Sequence, residues 1–147
     1  MVLEGPGMKL SRISPFMLIF LTGCSSTAGE VKPELSSGEE FCTLAIAGDK
    51  KILNLTPPCE LVLINHLEVD YYRYGEKNVY LVAGKPAAMA ELKKWPVIAE
   101  DLCSLEMQAV IVSDKNIALS TVTTGALVCP KKGLDEIFYR SVMRKKI

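Results

Sequence analysis

One histidine and one tryptophan occur in 147 residues, and 17 Lys and Arg are matched by 17 Asp and Glu. A single histidine excludes a His-rich metal centre. The charge balance argues against nucleic acid as a partner, because phosphate binding needs a basic surplus. No two cysteines are close enough for a Cys-x₂₋₄-Cys zinc pair or a Cys-x-x-Cys redox motif. No G-x-S-x-G elbow is present to offer a serine nucleophile. No apolar run approaches the roughly 20 residues that a helix needs to cross a bilayer. Internal repeats and low-complexity tracts are absent as well.

What is present is ordinary globular material. Hydrophobic residues make up 49% and charged residues 23%, which excludes disorder of the whole chain. The length is a prior for one domain. Five cysteines in so short a chain point to an oxidising compartment or to metal.

The N-terminal region carries an address. Met8-Lys9-Leu10-Ser11-Arg12 has two positive charges and no acid, so Met8 is the expected true start of an export signal. Ile13 to Leu21 is an apolar stretch of signal-peptide length, and Leu21-Thr22-Gly23-Cys24 follows directly. Residues 8–24 thereby resemble the signal of bacterial lipoproteins: a basic start, an apolar segment, then Leu, two small residues and Cys. The resemblance implies removal of residues 1–23 and acylation of Cys24, which becomes the first residue of the mature chain. Two or three acyl chains hold firmly where one binds only marginally. Ser25 in place of Asp after the cysteine implies the outer rather than the inner membrane, with the protein on its periplasmic face. The expected partners are the lipid bilayer, through Cys24, and an envelope protein.

Residues 25–40 are small, polar and rich in Pro, Gly and Glu, without apolar periodicity. They read as a flexible tether spanning roughly 20–25 Å. Residues 41–147 read as one periplasmic domain. Three hairpins are expected: Phe41–Ala47 with Lys51–Thr56, Leu67–Tyr74 with Val79–Ala83, and Glu106–Val112 with Ile117–Thr123. Pro86 opens a predicted helix ending near Pro96, with Met89, Leu92 and Trp95 on one face, and 97–103 reads as a second short helix. Leu134, Ile137, Phe138, Ser141 and Val142 recur at helical spacing and predict a C-terminal helix. Asp135 and Glu136 fall in its first turn, and Arg144, Lys145 and Lys146 at its end, as the helix dipole favours. The fold class is therefore α+β: a mainly antiparallel sheet built from hairpins, with two or three helices on one face, stapled by disulfides.

With Cys24 set aside, Cys42, Cys59, Cys103 and Cys129 make an even set. Three connectivities are possible and the sequence does not decide among them; Cys42–Cys59 with Cys103–Cys129 is the favoured one, because each bond would staple one end of a hairpin unit. His66, with Glu68 or Asp70 as an orienting acid, is the one place a hydrolase centre can be sought. A lone histidine in a turn is more often a solvated surface residue. The carboxylate pairs Glu39-Glu40, Glu100-Asp101 and Asp135-Glu136 are explained by the tether, a helix boundary and a helix start. No nucleophile–base pair, metal cluster or phosphate loop emerges, so neither catalysis nor a cofactor is expected.

The candidate binding surface is Tyr71, Tyr72, Arg73 and Tyr74. Alternation places Tyr72 and Tyr74 on one strand face and Tyr71 with Arg73 on the other. One face should be core. The other is either cross-strand packing with a rim, the commoner case, or an exposed aromatic platform, since Tyr and Arg are enriched at interfaces. Lys131, Lys132, Arg140, Arg144, Lys145 and Lys146 form a basic C-terminal region suited to peptidoglycan or lipopolysaccharide. The expected function is a membrane-anchored, non-catalytic binding or assembly module of the cell envelope. The alternatives are a hydrolase around His66 and a structural protein acting through the basic end.

Overall fold

The structure, a computed structural model, describes residues 32–64, 69–114 and 116–145. The signal, Cys24, His66, Glu68 and Lys146 lie outside these residues. The described chain is three layers deep. A three-stranded antiparallel sheet holds β1 (Glu34–Ser37), β2 (Cys42–Ile46) and β3 (Asp49–Leu53) in that order. A six-stranded antiparallel sheet is centred on β6 (Lys77–Ala83) and β7 (Ser104–Ser113). β4 (Glu60–Leu61) and β5 (Tyr71–Tyr74) share the outer side of β6, while β8 (Asn116–Leu119) and β9 (Thr123–Val128) share the outer side of β7. The third layer is α1 (Glu136–Arg144).

Strand alternation divides the core. Val79, Leu81 and Ala83 of β6, with Met107, Ala109 and Ile111 of β7, face Tyr139 and Val142 of α1. Tyr80, Val82 and Val110 face the small sheet, where Cys42, Leu44, Ile46 and Leu53 meet them. The central strands are therefore covered on both sides. Their sequences say so: Val79 to Ala83 is unbroken apolar residue after apolar residue, the pattern of a doubly buried strand.

Both expected disulfides are formed, Cys42–Cys59 and Cys103–Cys129. All three hairpins form with different strand ends: β3 ends at Leu53 rather than Thr56, β8 ends at Leu119 with Thr123 in β9, and residues 65–68 of the second lie outside the described residues. Three expectations are corrected. The tether was read as continuing to residue 40, but Glu34–Ser37 pair with β2. Leu35, the one apolar residue there, packs half-buried against the core beneath the small sheet. Ser37 Oγ accepts the Cys59 N–H at 2.9 Å and donates to its carbonyl at 3.2 Å. A short polar edge strand leaves little periodicity to detect.

The helix predicted from Pro86 does not form, so the described residues hold one α-helix and a single 3₁₀ turn, Ala99–Asp101, rather than two or three helices. Pro86 and Ala87 instead extend the β6–β7 pairing, with Ala87 N–H donating to the Cys103 carbonyl at 2.9 Å. Eight residues remain before Pro96, too few to repay helix nucleation. They fold as three-residue turns: Glu91 to Ala88, Leu92 to Met89, Trp95 to Leu92.

The C-terminal helix is present but rotated. Ile137 is 77% exposed and Ser141 is exposed, whereas Tyr139 and Val142 are buried with Phe138 and Met143 beside them. The Tyr139 ring seats edge-on against Tyr72, with centroids 4.8 Å apart, and that aromatic contact sets the inward face. Asp135 is the N-cap, its Oδ1 accepting the Phe138 N–H at 3.1 Å.

Candidate functional site

β5 pairs with β6 in the register Tyr71–Tyr80, Tyr72–Val79, Arg73–Asn78 and Tyr74–Lys77. Alternation then sends the tyrosines to two different cores. Tyr71 stacks at a tilt on Tyr80, 5.3 Å between centroids, on the face of the small sheet. Tyr72 and Tyr74 lie on the helix face, where Tyr74 OH donates to the Glu136 carbonyl at 3.3 Å. All three β5 tyrosines are half-buried, and Tyr80 is fully buried. Arg73 is exposed, its Nε reaching the Gly75 carbonyl at 3.4 Å. The tyrosines thus pack on two core faces with half-buried rims and Arg73 at the edge, the cross-strand packing and rim reading rather than an open aromatic platform. A second covering layer was the missing premise.

Electrostatics follow the packing. Burial, then the nearby Glu136 carboxylate, pushes the Tyr72 and Tyr74 phenols above their ordinary range. Burial pushes Tyr139 up much further, so its phenol is neutral at any physiological pH. Among the described residues the Tyr139 hydroxyl is fully buried and meets no hydrogen-bond partner. Glu136 also takes a hydrogen bond from Arg140 at 2.5 Å, which raises the guanidinium pKa.

The carboxylate pairs lie apart. Glu39 and Glu40 are exposed between β1 and β2. Asp101 accepts from the Ile98 N–H at 3.1 Å and from Lys132 Nζ at 2.7 Å, and the lysine holds its carboxyl below the usual range. Asp135 and Glu136 belong to the helix start. The basic region is divided too. Lys132 faces Asp101 beside the Cys103–Cys129 bridge, Arg140 is engaged by Glu136, and Lys145 lies beyond α1 in a pocket shared with Lys77. Among the described residues no three His, Cys, Asp or Glu side chains gather to hold a metal ion.

A cavity of about 530 Å³ lies between the start of the 84–103 connection and β9. Pro86, Ala87, Ala88 and Leu105 give it an apolar floor, and Lys85, Glu91 and Glu106 stand at its rim. Sequence reasoning did not find it, because Glu106 was counted only as a strand residue. Gly84 is the signal: a Cβ there would run into the Glu106 carboxylate. That carboxylate accepts the Thr56 N–H at 2.6 Å, and Glu91 accepts the Ala88 N–H at 3.0 Å. Two further polar side chains reach the interior of the central sheet. Gln108 accepts from the Asn54 N–H at 2.9 Å and donates to the Ser120 carbonyl at 2.7 Å. Ser104 Oγ donates to the Lys85 carbonyl at 2.9 Å. Each is spent on the backbone. No family model matches the chain, and neither a curated protein nor a solved structure is found to resemble it.

Proposed function

We propose that the chain is an exported lipoprotein held to an envelope membrane by acylated Cys24, and that its β-rich domain acts as a non-catalytic binding or assembly module. The observation that carries the reading is the pairing of the cysteines. Four of the five are committed to two disulfides. The odd one is Cys24, directly behind the apolar segment and two small residues. An exported chain needs structural bridges, and a lipid-modified chain needs one cysteine kept out of them. The outer membrane, periplasmic side, remains the address that Ser25 favours.

The binding half of the reading is supported by how the polar interior is used. Ser104, Glu106 and Gln108 hold backbone groups in place, which suits a scaffold better than a reaction centre. Arg73 and the exposed rims of the β5 tyrosines keep their place as candidate contacts for an envelope protein.

The test is lipid attachment. Expressed in a Gram-negative host with labelled palmitate, the chain should carry label, float with membranes and lose residues 1–23. Cys24→Ala should accumulate as unlabelled, uncleaved precursor. Normal cleavage and a soluble product from Cys24→Ala would refute the anchor.

A further inference from the structure

Resting on the reading of the chain as lipid-anchored, we propose that the domain has a membrane end, and that a pocket between Lys77 and Lys145 at that end takes the phosphate of an anionic phospholipid headgroup. The argument begins with topology. Glu34, at the start of β1, lies opposite Ala45, next to the Ala47–Gly48 turn of the β2–β3 hairpin. That turn sits at the tips of the other two hairpins: Ile46, Ala47 and Asp49 share a cleft of about 360 Å³ with Glu76, Ser113 and Asp114. The chain therefore enters the domain at the hairpin tips. β7 is ten residues long, so the 84–103 connection lies about 30 Å away at the other end.

Residues 25–33 separate Cys24 from β1. At the fully extended limit of about 3.3–3.6 Å per residue, they reach no farther than about 30 Å. An acyl anchor on Cys24 thus leaves the hairpin tips, where the chain enters, within reach of the bilayer.

The membrane end carries the right chemistry. Lys77 shares the helix-facing side of β6 with Val79 and Leu81, and Ser113 and Asn116 are paired at the tip of the β7–β8 hairpin. α1 ends above them and delivers Lys145. Together with Ile111, Ala118 and Met143 they line a pocket of about 270 Å³. Two lysines from different elements line it, and the lining contains no carboxylate. Among the described residues neither lysine forms an ion pair. Glu76 and Asp114 line the cleft on the other side of the sheet. The carbonyl end of α1 adds partial negative charge, which Arg144 and Lys145 outweigh. A phosphate between the lysines and a glycerol stem over Ile111, Ala118 and Met143 satisfies both halves of the pocket. An anionic headgroup is attracted at short range to the pocket lined by the two lysines, not to the acid-bearing cleft behind the sheet.

The experiment has two arms on the full chain. First, dihexanoyl phosphatidylglycerol, kept below its micelle concentration, is titrated while backbone amides are followed by NMR. Lys77, Ser113, Asn116 and Lys145 should shift, and affinity should fall roughly thirty-fold in Lys77→Glu/Lys145→Glu, on the scale of one headgroup contact per lysine. Lys77→Gln/Lys145→Gln should lose most of the same affinity, which guards against a folding defect in the charge-reversed pair. No shift at these amides, or equal shifts with inorganic phosphate or dihexanoyl phosphatidylcholine, overturns the site. Second, in vesicles carrying a headgroup nitroxide lipid, Trp95, the one tryptophan of the chain, should escape quenching. A tryptophan placed by Asp114→Trp in a Trp95→Phe background should be quenched. Quenching of Trp95, or equal quenching of both, overturns the orientation. Absence of acyl mass on Cys24 refutes the anchor alone, because the first arm reads the pocket without it.

Discussion

The two layers that cover the central sheet are fastened by different means. The small sheet is tied through polar and covalent links: Gln108 and Glu106 reach out of β7 to the Asn54 and Thr56 amides, Ser37 holds Cys59, and Cys42–Cys59 closes the connection beneath. The helix has no disulfide among its residues. It is held mainly by Tyr139, Val142 and their apolar neighbours, with the Tyr74 hydroxyl also meeting the Glu136 carbonyl and the Arg140 side chain. Directional bonds fix where a layer sits and resist sliding. Packing tolerates a rotation of the helix about its axis, so long as one large ring finds its seat. The helix face differs from the one its periodicity predicts for that reason.

The sharpest way to break the contrast is Tyr139. Tyr139→Ala should destabilise the domain by about 3–5 kcal/mol, the range for deleting a large buried aromatic, and should free α1 first. Tyr139→Phe should do the opposite. Its hydroxyl is buried without a partner among the described residues, so its removal should leave stability unchanged or raise it by about 1 kcal/mol. Denaturant unfolding of both variants reads the difference. A large loss in Tyr139→Phe would mean the helix layer, too, depends on a polar tie.

Gln108 tests the other layer with a smaller effect. Gln108→Leu keeps the volume roughly constant but strips the Asn54 N–H and the Ser120 carbonyl of their partner. The expected loss is about 1–3 kcal/mol, the cost of leaving such groups unpaired. Amide exchange should quicken at Asn54 and in β3 before it quickens in α1. Exchange that rises evenly over both layers would erase the distinction between polar and apolar fastening.

This contrast also explains what the sequence made legible. Hairpins are readable because turn residues such as Gly48 and Gly75 separate β-rich runs, and the even cysteine count announces two bonds without fixing which cysteines they join. The second layer was not readable. Leu35 is a lone apolar residue in a polar stretch, so β1 leaves no pattern, and alternation in β5 alone does not say whether its second face is covered. The continuous apolar run Val79–Ala83 was the available sign that both faces are covered. The 86–95 segment misled for a different reason: Ala, Met and Leu favour a helix locally, but the pairing of Ala87 with Cys103 and the Cys103–Cys129 bridge override that preference. The Glu106 cavity depended on Gly84 meeting a side chain 22 positions away in sequence, which no local pattern carries.

The mildest test concerns the far end of the domain, where a polar tie fastens a loop to a loop. Lys132 donates to Asp101 at 2.7 Å, and the Ile98 N–H donates to the same carboxylate oxygen at 3.1 Å. Both favour the charged form, the lysine most, so the folded Asp101 pKa lies below its ordinary value of 3.8. A carboxyl with a lowered folded pKa adds stability that is fully present above the ordinary value and is lost as pH falls through the folded one. Asp101→Asn should therefore melt slightly below the parent at pH 7. As the pH falls from about 5 toward 2 the gap should close, because the parent carboxylate then takes up its proton. The group is at the surface, so salt should shrink the gap at neutral pH as well. A gap that stays constant across this range would show that the Ile98 turn, rather than the charge on Asp101, is what the substitution disturbs. The loop would then be held by its backbone and the nearby disulfide, and only the small sheet would count as fastened through polar side chains.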